Sequence, residues 1–183
     1  FKIQNSTPMK FKILFFFLLI STTIFAQTTP DASTKEFKVT GKVKSEKTIS
    51  LSDLKNYKGI ELQDINISCS PRKEDKAKAV KGVLVKNILD SVAFEYEYSR
   101  LLGQYYFLFE ASDGYKIVFS FNEVYNTEIG NNLYIVTEID GKDASETTNK
   151  VLLLSTKDIK GGSRNVRWLS KIVVCDGGEG RKL

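Results

Sequence analysis

The 183 residues carry 27 Lys and Arg against 22 Asp and Glu, a formal net charge of +5, with no histidine and two cysteines. Without histidine there is no Ser-His-Asp or Cys-His nucleophile system, no histidine zinc ligand and no imidazole base at neutral pH. Three of the bases (Lys2, Lys10 and Lys12) and no acid lie in residues 1–26, leaving a net +2 on the remainder, too little to make the concentrated basic face that nucleic acid requires.

In chain order, residues 9–20 begin basic and run on as an unbroken apolar stretch, ending at Ser21-Thr22-Thr23. This is the pattern of a secretory signal peptide: the apolar stretch is too short to span a bilayer, and cleavage falls after Ala26. Met9 is the single methionine, so residues 1–8 read as lying upstream of the initiator. No cysteine precedes Cys69, which leaves no lipid attachment site next to the cleavage point. The expectation is an exported protein, periplasmic or secreted, with no transmembrane segment after cleavage. Residues 27–36, polar and small, read as a disordered lead-in, 37–176 as one domain and 177–183 as a loose tail.

Residues 37–43 alternate apolar and polar with period two, as a half-buried strand does. Residues 47–51 form a second short strand, and Ser52 caps a brief helical turn through Leu54 and Tyr57. Ile65, Ile67 and Cys69 alternate again, placing the cysteine on the isoleucine face at a strand end, and the charged residues 70–78 read as a loop. Leu84, Ile88, Leu89 and Val92 fall on one helical face, predicting a short amphipathic helix over 83–93. Residues 103–110 and 115–121, joined through Asp113-Gly114, make the clearest hairpin. Residues 133–139 and 151–154 are further strands around the turn Asp140-Gly141-Lys142, and 168–174 closes the domain. The class is α+β, mostly β.

Two features carry chemistry. Gly161-Gly162-Ser163-Arg164-Asn165-Val166-Arg167-Trp168 joins a flexible turn to two guanidiniums that can fork onto phosphate or carboxylate; the alternative is a loop with solvated arginines. Cys69 and Cys175 lack Cys-x-x-Cys spacing, so they read as a disulfide or as buried thiols. The aromatics between Tyr105 and Phe121 read as core.

Taken together, these segments resemble the molybdopterin-binding domain of the sulfite oxidase family over nearly all of residues 37–176. Ile49-Ser50-Leu51-Ser52-Asp53-Leu54 is similar to the family's opening, and the strand ending at Cys69 to the segment supplying the molybdenum thiolate. Val80-Lys81-Gly82-Val83-Leu84 resembles its helix entry, Ser112-Asp113-Gly114-Tyr115 its hairpin turn, and residues 131–142 a later strand and turn. Residues 161–174 are similar to its terminus. The resemblance implies a sulfite-oxidase-type molybdopterin-binding fold with mixed sheets and a few short helices. It further implies Cys69 as ligand to the molybdenum of a molybdopterin cofactor, and Arg167, with Arg164 assisting, at the cofactor phosphate.

Besides Val80 in place of an aromatic, Arg167 in place of a lysine and no Pro-Leu after residues 140–142, the chain departs from the pattern in two places that bear on the metal site. Cys69 is followed by Ser70-Pro71-Arg72 where the family has Gly-Asn, and histidine is missing. These departures favour an exported binding module without cofactor, open to a small anionic ligand. A molybdopterin-dependent oxidoreductase transferring oxygen atoms to or from a small oxyanion or sulfoxide is the alternative, and a β-rich surface domain the third.

Overall fold

The computed structural model describes residues 35–178. The expectations for residues 1–8, for the leader at 9–26, for most of the lead-in and for the last five residues of the tail lie outside the described residues. No helix among the described residues is long and apolar enough to cross a membrane.

Two five-stranded sheets face each other. In the first, β1 (Glu36–Gly41), β2 (Lys47–Ser50), β5 (Tyr105–Ala111), β6 (Lys116–Ser120) and β10 (Leu169–Asp176) are ordered β2-β1-β10-β5-β6. The β1–β10 pair is parallel and its neighbours antiparallel, so the sheet is mixed. In the second, β3 (Gly59–Asn66), β4 (Lys76–Leu84), β7 (Leu133–Ile139) and β8 (Lys142–Asp143) follow in that order, with β9 (Leu153–Ser155) paired to β7.

The sequence pattern of each sheet follows from which faces it buries. The first sheet turns one face inward. Along β5 the odd positions Tyr105, Phe107, Phe109 and Ala111 are buried while their neighbours are partly exposed, which is the period-two alternation of a half-buried strand. Phe109 meets Phe119 of β6 edge to face at 5.6 Å; each such ring contributes about 1.5–3 kcal/mol by leaving water. The second sheet is covered on both faces around β7 and β9, though not along β3, which has no fully buried residue. Ile135 and Leu153 enter the core between the sheets, whereas Val136, Leu152 and Leu154 join a second cluster with Ile67, Ala77, Val80 and Ile139 on the far side. Runs such as Leu133-Tyr134-Ile135-Val136 and Val151-Leu152-Leu153-Leu154 are therefore continuously buried and show no alternation.

Five elements differ from the sequence reading. The strand expected to end at Cys69 is β3, which stops at Asn66 and leaves Ile67 and Cys69 beyond it. The turn at Asp53–Asn56 takes no side-chain cap from Ser52; Ser50 Oγ instead accepts from Asp53 N–H at 3.1 Å. The loop expected over 70–78 ends at Asp75, because β4 starts at Lys76 and continues through Leu84. Its pattern is masked by the small buried residue Ala77 and by the bulge between Lys81 and Gly82, where the register to β7 shifts. The helix expected over 83–93 shrinks to α1 (Val85–Leu89), since Val83 and Leu84 belong to the strand. The second hairpin strand stops at Ser120, which caps α2 (Phe121–Asn126): the Ser120 side chain accepts from Glu123 N–H and the Glu123 carboxylate accepts from Ser120 N–H. This Ser-x-x-Glu capping box is a helix-start signal written in the sequence.

Candidate functional site

The segments carrying Cys69, Asp113 and Arg167 come together at the end of the molecule where β10 begins. Cys69 lies three residues beyond β3, in the loop, and packs with Ile65 against the second apolar cluster. That loop is fixed by the 161–168 segment. Asn165, 1% exposed, accepts from Ser155 N–H at 2.8 Å and donates through Nδ2 to Ser68 O at 2.8 Å. Gly162 has φ +86°, and a Cβ there would stand 2.9 Å from Ser68 O and 3.0 Å from Ser70 O. Only glycine combines that dihedral with that approach. On the other flank, Tyr115 donates its hydroxyl proton to Ser163 O at 2.6 Å, and Ser112 N–H bonds Trp168 O at 2.9 Å.

Trp168 stands outside β10 with φ 55°, a left-handed conformation costing a bulky residue roughly 1–2 kcal/mol. Its indole N–H donates to Thr148 O at 2.7 Å and its backbone N–H to Asn149 O at 3.2 Å; these bonds hold the turn that delivers Arg167 to Cys69.

The expected thiol and one of the expected guanidiniums are thus neighbours. Burial pushes the Cys69 thiol above the ordinary cysteine range, with Asp113 adding to it, against the pull of Arg167 through charge and hydrogen bonding. The net direction is upward, so the side chain is a neutral thiol at neutral pH and not a thiolate. Arg167 also pairs with Asp75 at 3.5 Å. Its Nε is buried without a partner, as are Ser112 Oγ and Ser155 Oγ.

Arg164 turns elsewhere. Its Nε and Nη2 contact the Asp158 carboxylate, its Nη1 reaches Glu123 Oε1 at 2.8 Å, and its guanidinium lies 4.1 Å above the Phe119 ring. Burial works against its charge, but bonds to Asp158 and Glu123 outweigh it and raise the pKa. With the side chain 24% exposed, this guanidinium clamps the 156–164 loop to β6 and α2. Sequence spacing put both arginines on one turn, while the carboxylate partners, distant in sequence, decide where each points.

Cys69 and Cys175 are both free thiols. Cys69 neighbours the residues that lead into β10, whereas Cys175 stands near its far end opposite Tyr106. At ~3.3 Å per residue the six steps from Leu169 to Cys175 span roughly 20 Å, beyond the ~7 Å limit for bridged Cα atoms. The disulfide reading is therefore set aside in favour of separate, partly buried thiols.

The residues fit a molybdopterin phosphate poorly. Arg164 serves two carboxylates, Arg167 shares Asp75, and Asp113 adds negative charge beside a neutral thiol. A dianionic phosphate would have to displace or protonate these acids before finding a free cation. Among the described residues no group of three or more Cys, Asp or Glu side chains converges to hold a metal ion.

The architecture defines the chain as an α+β, mostly β protein built on two mixed or antiparallel sheets. No family model and no curated protein matches its sequence. Among solved structures it is similar to the sulfane dehydrogenase SoxCD from Paracoccus pantotrophus, with a TM-score of 0.53 and 10% identity, over 79% of this chain and 39% of that chain. The chain thus spans well under half the length of that enzyme's chain, and at this identity the likeness speaks for the fold alone.

Proposed function

We propose that the chain is an exported binding module built on a molybdopterin-domain-like fold and working without the pterin cofactor. The observation that carries this reading is the double ion pair of Arg164 with Asp158 and Glu123. It withdraws one of the two cations that a cofactor phosphate would need, and the other, Arg167, already faces Asp75. The protonated state of Cys69 supports the same reading, because a soft metal is bound by thiolate.

A second reading, a molybdopterin-dependent oxidoreductase acting by oxygen-atom transfer, draws support from one feature. Cys69 and Arg167 are neighbours as the family resemblance implies, and Arg167 Nε is buried and unpaired. Elemental analysis separates the two when the full chain is purified from a host that exports it and assembles molybdopterin. The module contains less than about a tenth of a molybdenum atom per chain, and Cys69→Ala leaves its fold and metal content unchanged. Stoichiometric molybdenum that disappears in Cys69→Ala would establish the oxidoreductase instead.

A further inference from the structure

Strand β3 stands out among the strands at the sheet margins. The other long-sheet edges are short and carry a lysine: β2 has four residues beginning at Lys47 and β6 five beginning at Lys116. Beside β6, the 163–164 backbone and the Arg164 side chain are packed onto Tyr115 and Phe119. By contrast, β3 runs for eight residues, Gly-Ile-Glu-Leu-Gln-Asp-Ile-Asn, pairs among the described residues with β4 alone, and contains neither lysine nor proline. Edge strands of that length are ordinarily blunted by just those residues, because their unpaired N–H and C=O groups template another strand. The turn of Asp64 to φ 51° limits the straight part to Gly59–Gln63.

The same strand borders a cleft of about 620 Å³ that opens between the second sheet and the turn at residues 53–57, floored by Leu54 and Val83 and walled by Tyr57. Within it Lys81 pairs with Glu138 at 2.9 Å and Lys55 with Asp143 at 3.3 Å. Glu61, opposite Lys81 on β3, is the surplus carboxylate of the cleft and accepts from Gln63 Nε2 at 2.7 Å. Gly59, opposite Val83, leaves the sheet bare beside the floor, with the nearest atom to a Cβ there at 3.9 Å.

We propose that β3 is a strand-addition site for an extended segment of a partner protein, basic and apolar on one face, which pairs antiparallel along Gly59–Gln63. Main-chain hydrogen bonds supply the affinity, and alternate side chains supply the choice of partner. On the cleft face a lysine or arginine lies opposite Glu61, and two residues along a large apolar side chain covers Gly59 and reaches the floor. The other face, with Ile60 and Leu62 half-buried, takes branched apolar residues. A second copy of this chain fits poorly: pairing Gly59–Gln63 with itself about its midpoint sets Glu61 opposite Glu61, and like charges directly opposed are destabilising. The inference deepens the reading of the chain as a binding module, although its residues are separate from those around Cys69. Stoichiometric molybdenum would end the cofactor-free reading and leave strand addition standing; a failed peptide titration would do the reverse.

The test titrates the full chain with acetyl-Thr-Val-Lys-Val-Phe-Thr-amide while amide resonances and hydrogen exchange are followed by NMR. The expected result is saturable shifts centred on Gly59–Gln63 with slowed exchange there. Glu61→Lys weakens binding about tenfold, as expected when an attractive cross-strand pair becomes repulsive, and Cys69→Ser leaves it unchanged. Three results would overturn the proposal: no shifts at millimolar peptide, equal binding of a peptide with glutamate for lysine, or equal binding of one N-methylated at its valines and lysine. A fourth is a dimer of the free protein, seen by light scattering, in which β3 amides are already protected.

Discussion

At the scale of single residues, the contrast between Arg164 and Arg167 shows how neighbours remote in sequence assign a side chain its work. Both are guanidiniums on one loop, yet one lies in a two-carboxylate clamp and the other against a thiol. The clamp has a pH signature. Burial alone would raise the pKa of Glu123, but the Ser120 backbone N–H, Arg164 and the Ser120 hydroxyl together hold it below the usual glutamate value of 4.5. The folded state therefore binds this proton less tightly than the unfolded chain. The stabilisation is complete above the unfolded value and is lost as pH falls through the lower folded one. Urea midpoints measured between about pH 3 and 6 should show a decline at the acid end that Glu123→Gln reduces; an unchanged slope would remove the clamp from the account of stability. The segment from Gly161 to Trp168 was legible as a turn carrying two arginines. The carboxylates that answer its arginines were not, because no local pattern ties Asp158, Glu123 or Asp75 to them.

At the scale of elements, legibility followed burial. Strands of the first sheet, wet on one face, announce themselves by alternation, and β7 (Leu133–Ile139) was readable from its apolar run to the residue. The strand β4 was hidden by a bulge and a small buried alanine, while Leu84, Ile88, Leu89 and Val92 imitated a longer helical stripe. The capping box at Ser120 and Glu123 was present in the sequence but obscured by the aromatic run that continues into α2. The loop carrying Cys69 depends on one backbone position. Gly162→Ala would force a side chain into a left-handed conformation and against the Ser68–Ser70 backbone, costing about 2 kcal/mol or more. A clear fall in Tm, together with faster alkylation of Cys69 as its loop loosens, is the expected outcome; an unchanged Tm would mean that the two segments are not packed as described.

At the scale of the whole molecule, the two-sheet stack stands without a covalent cross-link, since its cysteines flank opposite ends of β10. Stability should accordingly be the same with and without reductant, and denatured protein never exposed to reductant should take up one alkyl group at each cysteine. A Tm lowered by dithiothreitol would contradict the placement of both thiols. The order of the first sheet has another consequence. Its last strand in the chain, β10, sits at the centre between β1 and β5, joining residues more than 120 positions apart, as Lys38 does with Lys171. Until that segment leaves the ribosome, β2-β1 and β5-β6 are two hairpins with nothing between them, so the sheet cannot zip up progressively during synthesis. Closure comes late, in one slow step governed by long-range pairing, and the waiting hairpins are what a chaperone would have to shield.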